Sequence, residues 1–175
     1  MDIKVKDILD ICNAKLVFGN PYEICENFSK DTRQINIGDV YIGIKGENFN
    51  GSNLFEEALE NGAKVCIIEP TKIKNEVKEK YKDRTLVEVE NSVEALQKIA
   101  KFKRNMYNIP VVAVTGSVGK TSTKDILASI ISKKYKVLKT EGNLNNHIGL
   151  PLTILKLKDH EALVVEMGMS AIRWN

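Results

Sequence analysis

Phosphate-binding chemistry is indicated by the stretch VVAVTGSVGKTSTKD, residues 111–125. An apolar run leads into a glycine-rich segment that ends in Gly-Lys-Thr, and a helical pattern follows it. The backbone N–H groups of such a loop, at a helix N-terminus, can converge on phosphate oxygens. Lys120 can then reach the terminal phosphates, and Thr121 can offer its hydroxyl to Mg²⁺. The stretch therefore predicts a site for a nucleoside triphosphate.

This loop departs from the general phosphate-loop pattern G-x-x-x-x-G-K-[ST], because Val114 occupies the position of the first glycine. Three interpretations are a damaged loop, a shorter working loop, and a strand-to-helix turn in which Gly116 and Gly119 only relieve steric strain. The run Gly-Lys-Thr-Ser directly after an apolar strand favours a working loop.

A second group of polar residues follows predicted strands and turns further along the chain. Glu166 follows the apolar run ALVV and precedes Gly168, which predicts a carboxylate at the carboxyl end of a parallel strand, where open α/β sheets bind ligands. Carboxylate oxygens suit Mg²⁺, although a strand-end acid can also form a surface ion pair with a lysine. Asn145, Asn146 and His147 offer donors and acceptors in a turn, and His147 is equally compatible with an ordinary capping or packing role.

Strand and helix patterns alternate along the whole chain, which predicts an α/β fold with parallel strands and helices on both faces. The first part contains predicted helices at 5–12, 54–60 and 93–107 and predicted strands at 39–46, 64–69 and 85–90. The second part contains predicted strands in VVAV, KVLKT and ALVVEMG, and a helix after the loop that should carry Ile126, Leu127, Ile130 and Ile131 inward. We place the domain boundary between residues 108 and 109, after a connecting helix at about 91–107.

Composition limits the classes of function. The 175 residues carry a formal net charge of only +3, with both signs interspersed, which does not indicate nucleic-acid binding. Three cysteines without C-x-x-C spacing indicate neither a disulfide framework nor a zinc site. No signal peptide or membrane span is visible in the sequence. We therefore expect a cytoplasmic protein without nucleic-acid partners or membrane insertion.

The stretch VTGSVGKTSTKD resembles the T-G-x-x-G-K-[ST] loop of the Mur ligases, ATP-dependent amide-forming enzymes of peptidoglycan precursor synthesis. Two further stretches, EGNLNNHIGLPLTIL at 141–155 and VVEMGMS at 164–170, resemble the MurF type. Near the N-terminus, the runs Asp-Thr-Arg at 31–33, Gly-Asp-Val-Tyr at 38–41 and the loop at 46–52 are similar to the UDP-binding domain of the family. Ser52 stands where the family usually has histidine, and Asn50 where it often has aspartate.

The resemblance implies a small N-terminal UDP-binding α/β domain, residues 1–108, followed by a truncated P-loop ATPase-type parallel sheet with flanking helices, residues 109–175. It implies ATP and Mg²⁺ as cofactors, and UDP-N-acetylmuramoyl-tripeptide and D-alanyl-D-alanine as substrates that are joined through an acyl phosphate. The implied ATP-binding residues are Thr115, Gly116, Ser117, Val118, Gly119, Lys120, Thr121, Ser122, Asn145 and Asn146. The implied catalytic residues are Lys120, Glu166 and His147, and the implied metal ligands are Thr121 and Glu166. The implied contacts to the UDP moiety are Thr32, Arg33, Lys45, Asn50 and Ser52.

Mur ligases have three domains, so we expect the 175-residue chain to be an incomplete fragment that does not complete the ligase reaction. The parent enzyme is expected to be monomeric, whereas the open edges of an incomplete sheet would favour self-association of the fragment. Two alternatives share the loop. One is another ligase of the superfamily, of the MurE type or a folylpolyglutamate synthase, and the other is a non-catalytic module that binds a nucleotide or UDP.

Overall fold

The computed structural model describes residues 2–46 and 49–168. The chain divides into two compact units, residues 1–99 (the first unit) and 100–175 (the second unit). The boundary that we place after residue 108 concerns domains and stays a prediction. Ser170 and the final segment AIRWN lie outside the described residues, as do Glu47 and Asn48 of the predicted loop at 46–52.

The first unit alternates short strands and helices along the chain. Its strands are β1 (Ile3–Lys4), β2 (Lys15–Phe18), β3 (Ile24–Cys25), β4 (Phe28–Ser29), β5 (Val40–Ile42), β6 (Val65–Ile68) and β7 (Thr85–Glu88). Its helices are α1 (Val5–Cys12), α2 (Phe55–Glu60), α3 (Asn75–Lys80) and α4 (Ser92–Asn105). The last residues of α4 belong to the second unit. Short 3-10 turns lie at Thr32–Gln34 and Gly51–Leu54. The predicted helix at 5–12 is confirmed, and the predicted helix at 93–107 begins one residue earlier and ends at Asn105.

The main sheet of the first unit has the strand order β2-β7-β6-β5-β4. The pairs from β4 to β7 are parallel, as predicted, whereas β2 pairs antiparallel with β7. The predicted strand at 39–46 is shorter, and Val40, Tyr41 and Ile42 are all buried because β5 lies between two strands in a sheet covered on both faces. The Tyr41 hydroxyl donates a hydrogen bond to the Gly51 carbonyl at 2.8 Å, so this polar group is satisfied within the core.

The second unit contains β8 (Val111–Val114), α5 (Lys120–Ile131), β9 (Val137–Lys139), α6 (Gly149–Leu155) and β10 (Ala162–Glu166). Its strands are parallel in the order β8-β10-β9, which confirms the predicted parallel arrangement. Every residue of β10 is buried, and α5 packs against this strand. The sheet therefore delivers the ends of β8 and β10 to the same edge, beside the N-terminus of α5.

The expectation that Ile126, Leu127, Ile130 and Ile131 point inward is wrong for two of these residues. Ile126 and Ile130 are 60% and 63% exposed, and the buried residues of α5 are Lys124 and Ala128. With about 3.6 residues per turn, the inward stripe runs through Lys124, Leu127 and Ala128, and the two isoleucines face away from it. The strand VVAV is half exposed because, among the described strands, β8 lies at the end of the strand order.

The described part of the chain contains no helix that is both long and apolar enough to cross a membrane. Cys12, Cys25 and Cys66 are free thiols, and all three are buried.

Candidate functional site

The segment from Thr115 to Gly119, here called the phosphate loop, joins β8 to α5. Gly116 has a φ of +145° and Gly119 a φ of +78°, and side chains other than glycine rarely adopt such backbone angles. Both positions therefore favour glycine, whichever of the three interpretations of the loop holds. The same conformation leaves the loop open, with Val118 91% exposed, in front of the helix N-terminus.

Lys120 is the first residue of α5, and its side chain folds back over the loop. Its Nζ donates a hydrogen bond to the Gly116 carbonyl at 2.8 Å. The first N–H groups of a helix have no partner within the helix, and the N-terminus carries a partial positive charge. The ammonium group and these N–H groups together make the mouth of the loop a suitable place for an anion.

Glu166 is the last residue of β10, where the sequence predicts it, and it is only 2% exposed. Its Oε2 accepts a hydrogen bond from the Thr121 hydroxyl at 2.9 Å, and its Oε1 accepts one from the Asn145 side-chain amide at 2.8 Å. The alternative of a surface ion pair is wrong for Glu166, because the carboxylate is buried among neutral donors. Thr121, Asn145 and Glu166, here called the carboxylate cluster, therefore bring together three separate segments of the chain.

The carboxylate cluster fits a hard divalent cation. The Thr121 hydroxyl and the Glu166 carboxylate are adjacent oxygen groups, and Mg²⁺ takes its protein ligands from such groups. The described residues hold no group of three or more His, Cys, Asp or Glu that could bind a metal ion by themselves. A single carboxylate and a hydroxyl suit Mg²⁺, which usually takes its other ligands from phosphates and water.

The turn before α6 uses its two asparagines differently. The Asn146 Oδ1 accepts hydrogen bonds from the N–H groups of Ile148 and Gly149, at 3.0 and 2.8 Å, so this side chain caps the start of α6. Asn145 reaches Glu166 with its side chain, while its backbone carbonyl accepts the Gly168 N–H at 2.8 Å. His147 is exposed. The structure thus brings Asn145, rather than Asn146, to the carboxylate.

Two buried residues behind Glu166 were not identified from the sequence. Thr140 directly follows β9, is fully buried, and accepts the Glu166 N–H on its Oγ1 at 3.0 Å. Lys124 is 2% exposed, and its Nζ donates to the Thr140 carbonyl at 2.9 Å. The four-residue step from Lys120 places Lys124 on the same side of α5, but no signal in the sequence indicates that its ammonium is buried.

Thr32 and Arg33, the first two predicted UDP contacts, lie in a 3-10 turn of the first unit. The Thr32 hydroxyl donates to Glu57 Oε1 at 2.7 Å. The Arg33 side chain is 84% exposed, and its guanidinium forms a bidentate ion pair with Asp31, at 2.9 and 2.7 Å. The hydrogen bonds from Arg33 lower the pKa of Asp31 to about 2. Arg33 therefore forms an ion pair within its own turn, and this pair leaves most of the side chain open to solvent.

The other predicted UDP contacts, Lys45, Asn50 and Ser52, lie on the following loop. The Ser52 hydroxyl is fully buried, donates to the Gly43 carbonyl at 3.2 Å and accepts the Glu69 N–H at 2.9 Å. The Asn50 Oδ1 accepts the Ser52 N–H at 3.0 Å, and Lys45 is exposed beside Asn50 in an isolated bridge. The Ser52 hydroxyl thus has partners inside the fold, and its contact with a uridine stays a prediction.

Comparisons with known proteins identify relatives over both units. The domain described as "Mur ligase family, catalytic domain" matches residues 27–104, and the "Mur ligase middle domain" matches residues 114–174. The UDP-N-acetylmuramoyl-tripeptide--D-alanyl-D-alanine ligase of Bacillus subtilis is 37% identical over 171 residues, which cover 95% of this chain and 36% of that protein. The chain thus spans about a third of the length of the curated relatives it matches.

Solved structures agree with these matches. A crystal structure of MurF from Acinetobacter baumannii superposes with a TM-score of 0.83 at 28% identity, over 96% of this chain and 36% of that one. The MurF ligase of Thermotoga maritima in complex with ADP is 40% identical, with a TM-score of 0.70, over 82% of this chain and 32% of that one.

Proposed function

Because this chain belongs to the Mur ligase family, we propose that it is the part of a MurF-type ligase that holds the UDP-linked substrate and the first portion of the ATP site. The whole enzyme would use ATP to join D-alanyl-D-alanine to UDP-N-acetylmuramoyl-tripeptide through an acyl phosphate. Turnover is proposed only for the whole enzyme, because this chain spans about a third of the length of its relatives.

The observation that carries this proposal is the carboxylate cluster beside the phosphate loop. Thr121 starts the helix that follows the loop, and its hydroxyl meets Glu166 at the end of the neighbouring parallel strand. This is the edge at which open α/β sheets bind ligands. A positive loop and a buried carboxylate at one edge suit a nucleotide whose phosphates reach the loop and whose metal ion reaches the carboxylate.

The chemistry requires charge neutralisation, because a substrate carboxylate that attacks the γ-phosphate brings two anions together. Lys120 and the N–H groups of the phosphate loop would bind the phosphate oxygens and stabilise the charge that develops on them. Thr121 and Glu166 would hold Mg²⁺, which when bound supplies further positive charge at the phosphates. Asn145 would keep the Glu166 carboxylate oriented toward the Thr121 hydroxyl.

The remaining assignments follow from the family. We assign the nucleotide phosphates to the backbone of the phosphate loop and to Ser122 at the first turn of α5, with Asn146 and His147 near them in the following turn. The uridine diphosphate is assigned to Thr32, Arg33, Lys45, Asn50 and Ser52. Arg33 is the strongest of these candidates, since its exposed side chain can pair with a phosphate while it keeps its ion pair with Asp31. A cytoplasmic location stays a prediction of the sequence.

The test is a calorimetric titration of the chain with UDP-N-acetylmuramoyl-tripeptide, with UDP-N-acetylmuramoyl-dipeptide as the comparison. Preferential binding of the tripeptide is expected of a MurF-type enzyme. The variant Arg33→Ala should bind more weakly, whereas Lys82→Ala, which removes an exposed lysine outside the predicted pocket, should bind as the unmodified chain does.

The other outcomes separate the alternatives. A preference for the dipeptide would favour a ligase of the MurE type. Binding of both the UDP compound and the nucleotide, without ADP release by a full-length version, would favour a non-catalytic module. If the folded chain binds neither UDP compound, the assignment of the UDP site in the first unit is wrong.

A further inference from the structure

The backbone of Glu166 is held by Thr140, which lies outside the carboxylate cluster. The Glu166 N–H donates to the Thr140 Oγ1 at 3.0 Å, and the Thr140 N–H donates to the Val164 carbonyl at 3.1 Å. Thr140 thus binds the end of β10 through both its side chain and its backbone. The position of the Glu166 carboxylate depends on this attachment, because the side chain begins at the residue that Thr140 holds.

Thr140 is in turn held by α5, the helix that follows the phosphate loop. The Lys124 Nζ donates to the Thr140 carbonyl at 2.9 Å, and it lies 3.3 Å from Asp125 Oδ1. Lys124 is three residues after Thr121 on the same helix. The same helix therefore carries the hydroxyl that meets the Glu166 carboxylate and the ammonium that fixes the backbone behind it.

A buried lysine is a costly way to fill this position. Removing an ammonium group from water is unfavourable, and an apolar residue of similar volume usually packs as well or better. The same helix exposes two apolar residues, Ile126 and Ile130, while it buries Lys124. What Lys124 provides, and an apolar residue would not, is a directed bond to the Thr140 carbonyl.

From these contacts we propose that Lys124 and Thr140 are positioning residues, which hold the Glu166 carboxylate beside the Thr121 hydroxyl, where both groups can bind one divalent cation. The inference rests on the proposed function, in which Thr121 and Glu166 bind the Mg²⁺ of a nucleotide. Loss of either residue leaves the phosphate loop and Lys120 intact. Nucleotide affinity without Mg²⁺ is therefore retained, while the gain in affinity that Mg²⁺ provides is reduced.

The experiment is a titration of the chain with ADP, once with MgCl₂ and once with EDTA. The variants are Thr140→Val, which removes the hydroxyl at nearly constant shape, and Lys124→Met, which removes the ammonium and keeps the chain length. Each variant should lose about 10- to 100-fold of the Mg²⁺-dependent gain, as is typical when a partner of a metal ligand is lost. Affinity in EDTA should stay within about twofold of the unmodified chain, as expected for a group that acts on the metal alone.

Two further variants serve as controls. Thr140→Ser keeps the hydroxyl and should restore the Mg²⁺ effect. Lys139 also forms an ion pair with Asp125, at 2.7 Å, but its side chain is 46% exposed. The variant Lys139→Met should therefore leave the Mg²⁺ effect unchanged. Amide exchange of Glu166, measured by nuclear magnetic resonance, should be faster in Thr140→Val than in Thr140→Ser, because only the valine removes the acceptor.

The possible outcomes are distinct. The inference is overturned if Thr140→Val and Lys124→Met keep the full Mg²⁺ effect, or if they weaken ADP binding as much in EDTA as in MgCl₂. It is also overturned if Thr140→Ser loses the Mg²⁺ effect as Thr140→Val does. Should one variant fail to fold, the other decides, with circular dichroism as the check. If the folded, unmodified chain binds no ADP under either condition, the proposed nucleotide site itself fails.

Discussion

The Thr121 hydroxyl donates a hydrogen bond to the Glu166 carboxylate at 2.9 Å, across 45 residues of sequence. This contact joins the start of α5 to the end of β10, so the phosphate loop and the buried carboxylate share one edge of the sheet. Any change in the charge or geometry of Glu166 should therefore be detectable in the binding of a nucleotide by the loop.

Replacing Glu166 with Gln should remove most of the Mg²⁺ dependence of ADP binding, because a neutral amide is a poor ligand for Mg²⁺. The fold should persist, since Gln keeps an oxygen for the Thr121 hydroxyl and the Asn145 amide can rotate to accept from the new NH₂ group. Calorimetry with MgCl₂ and with EDTA measures the effect. Glu161→Gln, at an exposed position of the same unit, is the matched control. Unchanged Mg²⁺ dependence in Glu166→Gln would argue against metal binding by this carboxylate.

Replacing Lys120 with Ala should weaken ADP binding roughly 10- to 100-fold, since a charged hydrogen bond contributes about 1.5–3 kcal/mol. The free energy of unfolding should fall by about 1.5 kcal/mol or less, because the bond lost is the one from this half-buried ammonium to the Gly116 carbonyl, and water can replace it. Lys133→Ala removes an exposed lysine beyond the end of α5 and should change neither quantity. Equal ADP binding by both variants would contradict a phosphate-binding role for Lys120.

Replacing Gly119 with Ala tests the backbone of the phosphate loop. A Cβ at this position would meet no atom within 4 Å, so the cost comes from the φ of +78° alone. A left-handed backbone costs other residues about 1–2 kcal/mol. Gly38→Ala in the first unit has the same open surroundings and a φ of +93°. Urea unfolding should show a similar loss in the free energy of unfolding for both variants. Only Gly119→Ala should weaken ADP binding. If Gly38→Ala weakened ADP binding equally, the effect could not be assigned to the phosphate loop.

The cysteines should be unreactive in the folded chain. Burial raises the pKa of Cys12 to about 11 and that of Cys25 to about 12, and it also raises the pKa of Cys66. The thiolate is the reactive form, and its fraction at pH 8 falls as the pKa rises. A disulfide reagent at pH 8 should therefore modify the native chain slowly and all three thiols in denaturant. Rapid modification of a native thiol, located by mass spectrometry, would show that its surroundings open.

The sequence was sufficient for the parts of the site that follow from local pattern. The phosphate loop is contiguous, and Glu166 ends an apolar run whose direction is fixed once the strands are parallel. Lys124 could not be placed in the same way, because its partner is a carbonyl that lies 16 residues further along the chain. Hydrophobic periodicity assigns a lysine to solvent, and the compensation of its buried charge depends on the three-dimensional structure.

In the first unit, too, local sequence patterns predict some features and not others. The helix α1 follows from the spacing of its apolar residues, and the parallel strands follow from the alternation of strand and helix. The antiparallel pairing of β2 with β7 joins distant segments, and no local signal specifies it. Ser52 could not be placed either, since its hydroxyl is satisfied by the Gly43 carbonyl and by the Glu69 N–H, which directly follow β5 and β6.

The register of β8 and β10 sets limits on where the chain can change in length. Val114, the last residue before the phosphate loop, lies opposite Glu166. A shift of one residue would turn the carboxylate to the other face of the sheet. Insertions and deletions are thus expected to be excluded within both strands and tolerated in the connections at 132–135 and 158–160, where the chain runs over the surface. Length differences among relatives should therefore concentrate in these connections, and the paired strands should keep a constant number of residues.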